Sequence, residues 1–273
     1  MNHSPSAPSL PVPLRVSTLP RPLSLYVHDA RDRFVSQRIR DEGLWEPYET
    51  ALLQAILAPG GVFVDVGANI GYFSVIAAAL VGEAGAVFAF EPDPENCRLL
   101  RLNVAHNGMA DIIEVVEAGL ADGAARGELF LSEDNLGDHQ IFAAGEARQS
   151  VPVQLLSGAG FFRDRPHQPD LIKVDTQGAE FRVMAGLMPF VRNLPRPPRL
   201  LIELTPLSLR ECGASGRALV ELLATLGQPL WIVDHIEHRL APSSAGELAQ
   251  WCDNVDACEG DRGFMNILVG DAP

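Results

Sequence analysis

The stretch Val62-Phe63-Val64-Asp65-Val66-Gly67-Ala68-Asn69-Ile70-Gly71 decides the fold of this chain. Its first five residues form a mostly apolar run that is typical of a buried strand. The glycines of the stretch allow a sharp turn into a helix that the pattern predicts over residues 72–81. A strand, a glycine turn and a helix in this order form the first unit of an α/β sheet with a ligand site at its strand ends.

Strand and helix signals alternate along the rest of the chain. The apolar runs predict strands over residues 86–90, 112–116, 171–174, 200–204, 230–233 and 265–269, and the helical patterns cover residues 95–107, 178–187 and 217–226. Continuous apolar strands separated by helices indicate a mostly parallel sheet that is covered on both faces. Right-handed crossovers make this a doubly wound α/β fold, with ligands at the carboxyl ends of the strands.

The same pattern predicts one main domain with additions. The domain spans residues 60–271 and carries an insertion at about residues 128–155, where two strands flank a polar loop. Residues 23–59 are expected to form a strand and helices that cap the cleft. Residues 1–22 are rich in Pro and Ser and are expected to be a flexible or extended leader.

Composition narrows the class of protein. The 273 residues carry a formal charge of −14, which argues against a protein that grips nucleic acid by its phosphates or docks on anionic lipid. The four cysteines show no CxxC pair, which is typical of a reducing cytoplasm. The chain does not begin like a signal peptide, and no apolar stretch approaches the roughly 18 residues of a membrane span. We therefore expect a cytoplasmic protein without a membrane partner.

Two acidic residues near the glycine turn indicate which kind of ligand it could bind. Asp65, at the end of the first strand, could attract the ammonium group of an amino-acid-like ligand. Glu91 ends the next strand, about 20 residues beyond the turn, where a carboxylate can accept both hydroxyls of a ribose. The pair fits a nucleoside, although a tight turn that binds nothing remains the alternative for these residues alone.

Other nucleotide sites fit the turn less well. Nicotinamide enzymes typically have the motif G-x-G-x-x-G, whereas this chain has Gly67-x-Asn69-x-Gly71. In addition, the negative charge of Asp65 would repel a pyrophosphate. No GK[ST] follows the turn, which excludes the Walker pattern.

Three strings of the sequence together resemble the FkbM family of class I methyltransferases. They are residues 65–74 (DVGANIGYFS), 90–94 (FEPDP) and 170–180 (DLIKVDTQGAE), and residues 43–47 (GLWEP) are also similar to that family. The resemblance implies a Rossmann-like, seven-stranded sheet with S-adenosylmethionine as methyl donor. It also implies methylation of a hydroxyl on a natural product or sugar.

The resemblance assigns donor-binding residues position by position. The methionine part would contact Asp65, Gly67, Ala68, Asn69 and Gly71, the ribose Glu91 with Asp93 in the same string, and the adenine Asp122. One position departs from the family, which commonly reads D-V-E-G-A-E where this chain has Gln177. A role for that side chain as base or ligand is therefore in doubt.

Methylation of a hydroxyl also requires that its proton be removed as the bond forms. Asp175 and Glu203 fall at the predicted carboxyl ends of neighbouring strands, so both are candidates for the same cleft. Lys173 lies two residues before Asp175 and shares its side of the strand. A buried Lys173–Glu ion pair that serves only architecture is the alternative.

His139 lies in the polar loop of the insertion, and we expect it to act as base or to orient the acceptor. A turn without chemical function is the alternative. A divalent metal held by Asp175, Glu203 and His139 or Asp138 is possible, but the spacing does not indicate it, and no metal ligands are predicted.

The acceptor side is the least determined by sequence. Trp45 and Tyr48 would contact the acceptor if the N-terminal segment covers the cleft, and Asn266 in the last strand could face the same pocket. His235 and His238 are expected at the surface or in caps. The predicted partner is a small-molecule or glycan acceptor, with no nucleic acid; the oligomeric state stays open. A donor-binding scaffold without turnover and a nicotinamide oxidoreductase are the competing functions.

Overall fold

The computed structural model describes residues 10–132, 136–137, 139–140, 149–165 and 167–273. In these ranges the strands are β1 (Val12–Pro13), β2 (Ser24–Leu25), β3 (Val62–Val66), β4 (Ala86–Phe90), β5 (Ile113–Val116), β6 (Gly119–Ala121), β7 (Ala125–Phe130), β8 (Ser150–Ser157), β9 (Leu171–Val174), β10 (Arg199–Leu204), β11 (Leu230–Asp234), β12 (Arg239–Ser243) and β13 (Met265–Val269). The helices are α1 (Val35–Glu42), α2 (Pro47–Ile56), α3 (Tyr72–Val81), α4 (Pro94–His106), α5 (Gly158–Phe162), α6 (Glu180–Asn193), α7 (Pro206–Glu211), α8 (Gly216–Ala224) and α9 (Ala245–Ala257).

The main sheet has eight strands in the order β12-β11-β13-β10-β9-β3-β4-β5. Neighbours from β10 to β5 run parallel, and β13 lies antiparallel between β10 and β11. The doubly wound α/β fold is thus confirmed. The sheet has one strand more than the seven expected, because residues 239–243 turn back along β11 as an antiparallel hairpin.

Alternation along the central strands explains the two layers of helices. Phe63 and Val64 are both fully buried, yet they belong to different apolar clusters on opposite faces of the sheet. Phe63 packs in the cluster that contains Ile76 of α3, and Val64 packs in the cluster that contains Leu187 of α6. Because the strand is buried on both faces, polar side chains that could contact a ligand are expected only at its ends.

The N-terminal segment lies over α4. β1 pairs with β2, and Asn103 of α4 accepts a hydrogen bond from Tyr26 N–H at 2.7 Å and donates to its carbonyl at 2.9 Å. In the predicted leader, Leu14 and Leu19 pack against the core, so residues 10–22 follow the domain surface. The Thr50 hydroxyl of α2 lies 3.1 Å from the Tyr72 hydroxyl of α3, which brings the start of α2 to the strand ends.

The predicted insertion contains a second, three-stranded sheet in the order β6-β8-β7. The strands expected around residues 128 and 151 are β7 and β8, which pair antiparallel. Residues 133–135, 138 and 141–148 between them lie outside the described ranges. Among the helices given above, none is long and apolar enough to cross a membrane.

Gly186 is the point where α6 meets this second sheet, and its replacement by Ala tests the packing. An added Cβ would lie 2.0 Å from the carbonyl oxygen of Ala121. We expect Gly186→Ala to lower the free energy of unfolding by about 1–3 kcal/mol, the usual cost of overpacking. Urea unfolding measures this, with Gly123→Ala as control because a Cβ there meets nothing within 4 Å. Equal midpoints for the two variants would contradict the packing.

Candidate active site

A cavity of about 640 Å³ lies at the carboxyl ends of β3, β4, β9 and β10. One part of its wall is the glycine turn after β3 together with residues 90–92. Another part comes from the N-terminal segment and from side chains between residues 235 and 266. The volume is in the range of small-molecule sites, and the position is where sheets of this kind bind ligands.

Backbone contacts fix the turn of residues 67–70. The N–H groups of Gly67 and Ala68 both donate to the carbonyl of Phe90, at 3.0 and 2.9 Å. Gly67 has a φ of 86°, and a Cβ on it would lie 1.8 Å from the carbonyl oxygen of Asp175. Glycine is therefore required here both for the turn, as the sequence suggests, and because the ends of β3 and β9 meet.

Glu91 and Asn69 offer hydrogen-bond acceptors to the cavity. Glu91 accepts from Asn69 N–H at 2.8 Å and from Asp93 N–H at 2.9 Å. Burial raises the pKa of Glu91 to about 8, although these backbone N–H groups act in the opposite direction. The Oδ1 of Asn69 is buried and has no hydrogen-bond partner in the described protein. Both side chains line the wall as the sequence predicts.

The structure does not bring Asp65 to the cavity wall. Its Oδ2 accepts from the Ser74 hydroxyl at 2.6 Å, so the carboxylate faces the first turn of α3. Burial raises the pKa of Asp65, with the charge of Lys173 opposing it. Asp65 therefore lies behind the turn, and its placement does not support the predicted direct contact with the donor.

Gly71, Asp93 and Asp122 also lie off the cavity wall. A Cβ on Gly71 would lie 2.4 Å from the side chain of Leu100, so its φ of 90° serves the packing of α4. Asp93 caps α4 by accepting from Asn96 N–H at 2.7 Å. Asp122 is exposed and pairs with Arg182 at 3.1 Å. These three residues, which the sequence assigned to the donor, are thus engaged in packing and hydrogen bonds outside the cavity.

Three of the four predicted catalytic residues form one network, in which Lys173 is buried and Asp175 and Glu203 are half-buried. Lys173 Nζ lies 2.7 Å from Asp175 Oδ2, and the Gln177 amide donates to Asp175 Oδ1 at 2.8 Å and to Glu203 Oε2 at 2.9 Å. The expected architectural pair of Lys173 with a Glu is a pair with Asp175 instead. Gln177, the position that departs from the family, links the ends of β9 and β10.

The network fixes the charge of its members. Burial alone would raise the pKa of Asp175, but the charge and hydrogen bond of Lys173 outweigh it and lower that pKa. Burial and the nearby charge of Asp175 raise the pKa of Glu203 well above its ordinary value. The pKa of Lys173 is raised, because surrounding carboxylates outweigh its burial. Lys173 and Asp175 are thus a charged pair, and Glu203 favours its protonated form.

His139 lines the cavity as predicted. Its Nδ1 accepts a hydrogen bond from Ser132 N–H at 3.0 Å. A neutral imidazole whose Nδ1 accepts carries its proton on Nε2. The role of His139 as base or in orienting the acceptor stays a prediction. Asp138, the neighbour considered for a metal, lies outside the described residues, and in the described ranges no group of three or more His, Cys, Asp or Glu residues is arranged for a metal ion.

Two glutamates at the start of α2 were missed by the sequence analysis. Glu46 and Glu49 line the cavity, and each has an Oε2 that is buried without a hydrogen-bond partner in the described protein. Burial raises the pKa of Glu46 to about 8. Asn266 lines the cavity, as the sequence suggested it could, and donates to Glu49 Oε1 at 2.9 Å. The string GLWEP at residues 43–47 was the available signal for Glu46.

Flat rings surround the outer part of the cavity. Tyr48 stacks on His238 with centroids 5.7 Å apart, and His235 stacks on Phe264 at 6.0 Å. Both histidines, Phe264 and Trp45 line the cavity. The sequence analysis placed these histidines at the surface or in caps, because it did not predict the β11–β12 hairpin that carries them.

Comparison with known proteins identifies the family. The model of the methyltransferase FkbM domain matches residues 65–227. A ribosomal protein L11 methyltransferase of Pelotomaculum thermopropionicum is 31% identical over 115 residues, which are 42% of this chain and 37% of that protein. A probable cobalt-precorrin-6B C(15)-methyltransferase (decarboxylating) of Sulfolobus acidocaldarius is 42% identical over 103 residues, 38% of this chain and 50% of that protein. The chain thus spans half or less of the length of these curated relatives.

A solved methyltransferase FkbM from Methylobacillus flagellatus superposes with a TM-score of 0.43 and 14% identity. The superposition covers 82% of this chain and 51% of that one.

The raised pKa of Glu91 predicts a dependence of stability on pH. The folded protein holds a proton on Glu91 that the unfolded chain releases near its ordinary pKa of 4.5, so this contribution to stability is full below about pH 4.5 and lost as pH rises to about 8. We expect the urea midpoint to fall between about pH 5.5 and pH 8.5, and to fall less in Glu91→Gln. The exposed Glu83→Gln is the matched control. An equal fall in all three proteins would contradict this origin.

Proposed function

The chain belongs to the FkbM methyltransferase family, and from this membership and its cavity we propose that it transfers a methyl group from S-adenosylmethionine to a hydroxyl of a small molecule. The acceptor that we propose is a natural product or a sugar. The observation that carries the proposal is a single cavity in which the family's glycine turn and Glu91 adjoin the Lys173–Asp175–Gln177–Glu203 network.

The residues present fit the donor. Glu91 accepts hydrogen bonds at the end of β4, where a ribose would be held, and the unpartnered Oδ1 of Asn69 is a further acceptor. Gly67 and Ala68 give the same wall a backbone surface. The carboxylates around Lys173 favour a ligand with positive charge. When bound, S-adenosylmethionine supplies an electrophilic methyl group on a sulfonium.

The chain's own residues would position the acceptor and exclude water. Methyl transfer is a displacement that depends on alignment, so a rigid wall contributes much of the rate. The Lys173–Asp175 pair and Gln177 hold the ends of β9 and β10 in one arrangement. His139, with Nδ1 occupied by Ser132, would donate to and orient the acceptor oxygen.

The rim supports a small acceptor with ring faces. The stacked pairs Tyr48–His238 and His235–Phe264 offer flat surfaces with polar edges, which suit sugars and aromatic natural products. The formal charge of −14 disfavours an acceptor that must be held by its phosphates, so the absence of a nucleic-acid partner stays a prediction. The cytoplasmic location likewise stays a prediction.

Calorimetry and a transfer assay test the proposal. We expect the protein to bind S-adenosylmethionine and S-adenosylhomocysteine but not NAD, and to release S-adenosylhomocysteine with a panel of methyl 6-deoxyhexosides and phenols. Asn69→Ala should bind S-adenosylhomocysteine about fivefold more weakly, because one hydrogen bond is worth about 1 kcal/mol. Asp122→Asn is the control, since Asp122 pairs with Arg182 away from the cavity.

Each competing function gives a different result. Donor binding without transfer to any acceptor would favour a scaffold protein. Binding of NAD and of neither methyl compound would favour an oxidoreductase. We expect the rate of methyl transfer to be unchanged after exhaustive chelation. A loss of activity that is recovered on addition of Mg²⁺ would favour the metal-assisted mechanism instead.

A further inference from the structure

The proposed function requires a group that takes the acceptor's proton, and the structure offers one that the sequence did not single out. We propose that Glu46 is the general base of the reaction and accepts this proton on its Oε2. The assignment rests on the proposed function, since it concerns the same cavity and a hydroxyl acceptor.

The geometry of Glu46 meets the requirements for a base. The side chain lines the cavity, and its Oε2 is buried without a hydrogen-bond partner among the described residues. A buried polar atom is normally paired, because leaving it unpaired costs about 1–3 kcal/mol. A carboxylate oxygen can only accept hydrogen bonds, so the partner that fits it is a donor such as a hydroxyl.

The backbone holds Glu46 in a strained conformation. Its φ is 41°, in the left-handed region that few non-glycine residues adopt. The structure maintains it from both sides: Pro47 disfavours the right-handed helical conformation for the preceding residue, and Thr50 donates from its hydroxyl to the Trp45 carbonyl at 2.9 Å and from its N–H to the Glu46 carbonyl at 2.9 Å. Strain of this kind costs about 1–3 kcal/mol and clusters at functional sites.

The other candidates for the base are already engaged. Both oxygens of Asp175 accept hydrogen bonds, one from Lys173 and one from Gln177. The Oε2 of Glu203 accepts from the Gln177 amide at 2.9 Å. The accepting nitrogen of His139 is occupied by the Ser132 N–H. Glu46 and Glu49 each have a buried Oε2 with no such partner, but the other oxygen of Glu49 accepts from the Asn266 amide at 2.9 Å.

The charges around Glu46 suit proton transfer near neutral pH. Lys173, Asp175, Asp65 and Glu203 face it from the strand ends, Tyr72 from α3 and Glu49 from its own helix. Burial raises its pKa to about 8, with Lys173 acting in the opposite direction. A base is most effective when its pKa lies near the working pH. A cation bound in the same cavity would favour the ionised carboxylate.

The step balances without a further reactant. The acceptor O–H bond breaks and its proton passes to Glu46 Oε2. The hydroxyl oxygen forms a C–O bond with the methyl carbon, and the electron pair of the broken methyl–sulfur bond stays on sulfur. Glu46 then returns the proton to solvent.

Two measurements on Glu46→Gln and Glu46→Asp test the assignment. The first is the rate of S-adenosylhomocysteine release as a function of pH, with the best glycoside or phenol of the panel as acceptor. The second is an infrared titration of the S-adenosylhomocysteine complex, compared between wild type and Glu46→Gln. Glu83→Gln makes the same change at an exposed position and is the control. Calorimetry with S-adenosylhomocysteine checks that the variants keep an intact donor site.

We expect Glu46→Gln to lose about 10²–10⁴-fold in rate, with a flattened pH profile and donor affinity within about twofold of wild type. Glu46→Asp should recover part of the rate. Glu91 and Glu203 also have raised pKa values and contribute to the infrared band of protonated carboxyls. The component that titrates near neutral pH in wild type should therefore be smaller by one carboxyl in Glu46→Gln.

Wild-type rate and pH profile in Glu46→Gln would overturn the proposal. A Glu46 carboxyl that is already fully ionised at about pH 6 would also overturn it, because it would lack the basicity required. If wild type binds the donor but methylates no member of the panel, the proposed hydroxyl transfer fails, and the titration still decides whether Glu46 has the required pKa.

Discussion

One buried cation holds the functional end of this sheet together. Lys173 lies inside β9, is only 5% exposed, and pairs with Asp175 at 2.7 Å. A buried charge without a partner is costly, and the carboxylates of Asp65 and Glu46 add to the negative potential around it. The lysine therefore neutralises part of a strongly acidic region that comes from three separate segments of the chain. Removal of that one positive charge would leave the ionised Asp175 beside the carboxyl groups of Glu46 and Glu203 without its partner.

The same strand end also fixes the backbone of the donor side. The carbonyl of Asp175 occupies the space that a side chain at Gly67 would need, while its carboxylate accepts from Lys173 and Gln177. A single residue thus connects the glycine turn to the network that faces the acceptor. Any shift of β9 relative to β3 would alter both halves of the cavity together. The close contact between Gly67 and Asp175 therefore keeps the two sides of the cavity in one fixed arrangement.

The central fold could be predicted because buried parallel strands are continuous apolar runs. The expected limits of β3, β4, β9 and β13 agree with the structure. The direction of side chains at the strand ends could not be predicted in the same way, since it depends on turns that lack a pattern. Asp93 bonds to its own helix, and Asp65 faces α3. Glu46 was missed because the string GLWEP, although it resembles the family, gives no sign of the left-handed conformation that Glu46 adopts before Pro47.

The family model covers one part of the cavity wall and leaves another part outside its range. The family model matches residues 65–227, which include the glycine turn, Glu91 and the network of β9 and β10. Glu46, His235 and Phe264 line the cavity from outside that range. Donor binding is therefore a property that this chain shares with its family, whereas the proposed acceptor side lies mainly outside the matched range. Because its residues come from segments before and after that range, this side of the cavity is complete only where the central sheet brings the segments together.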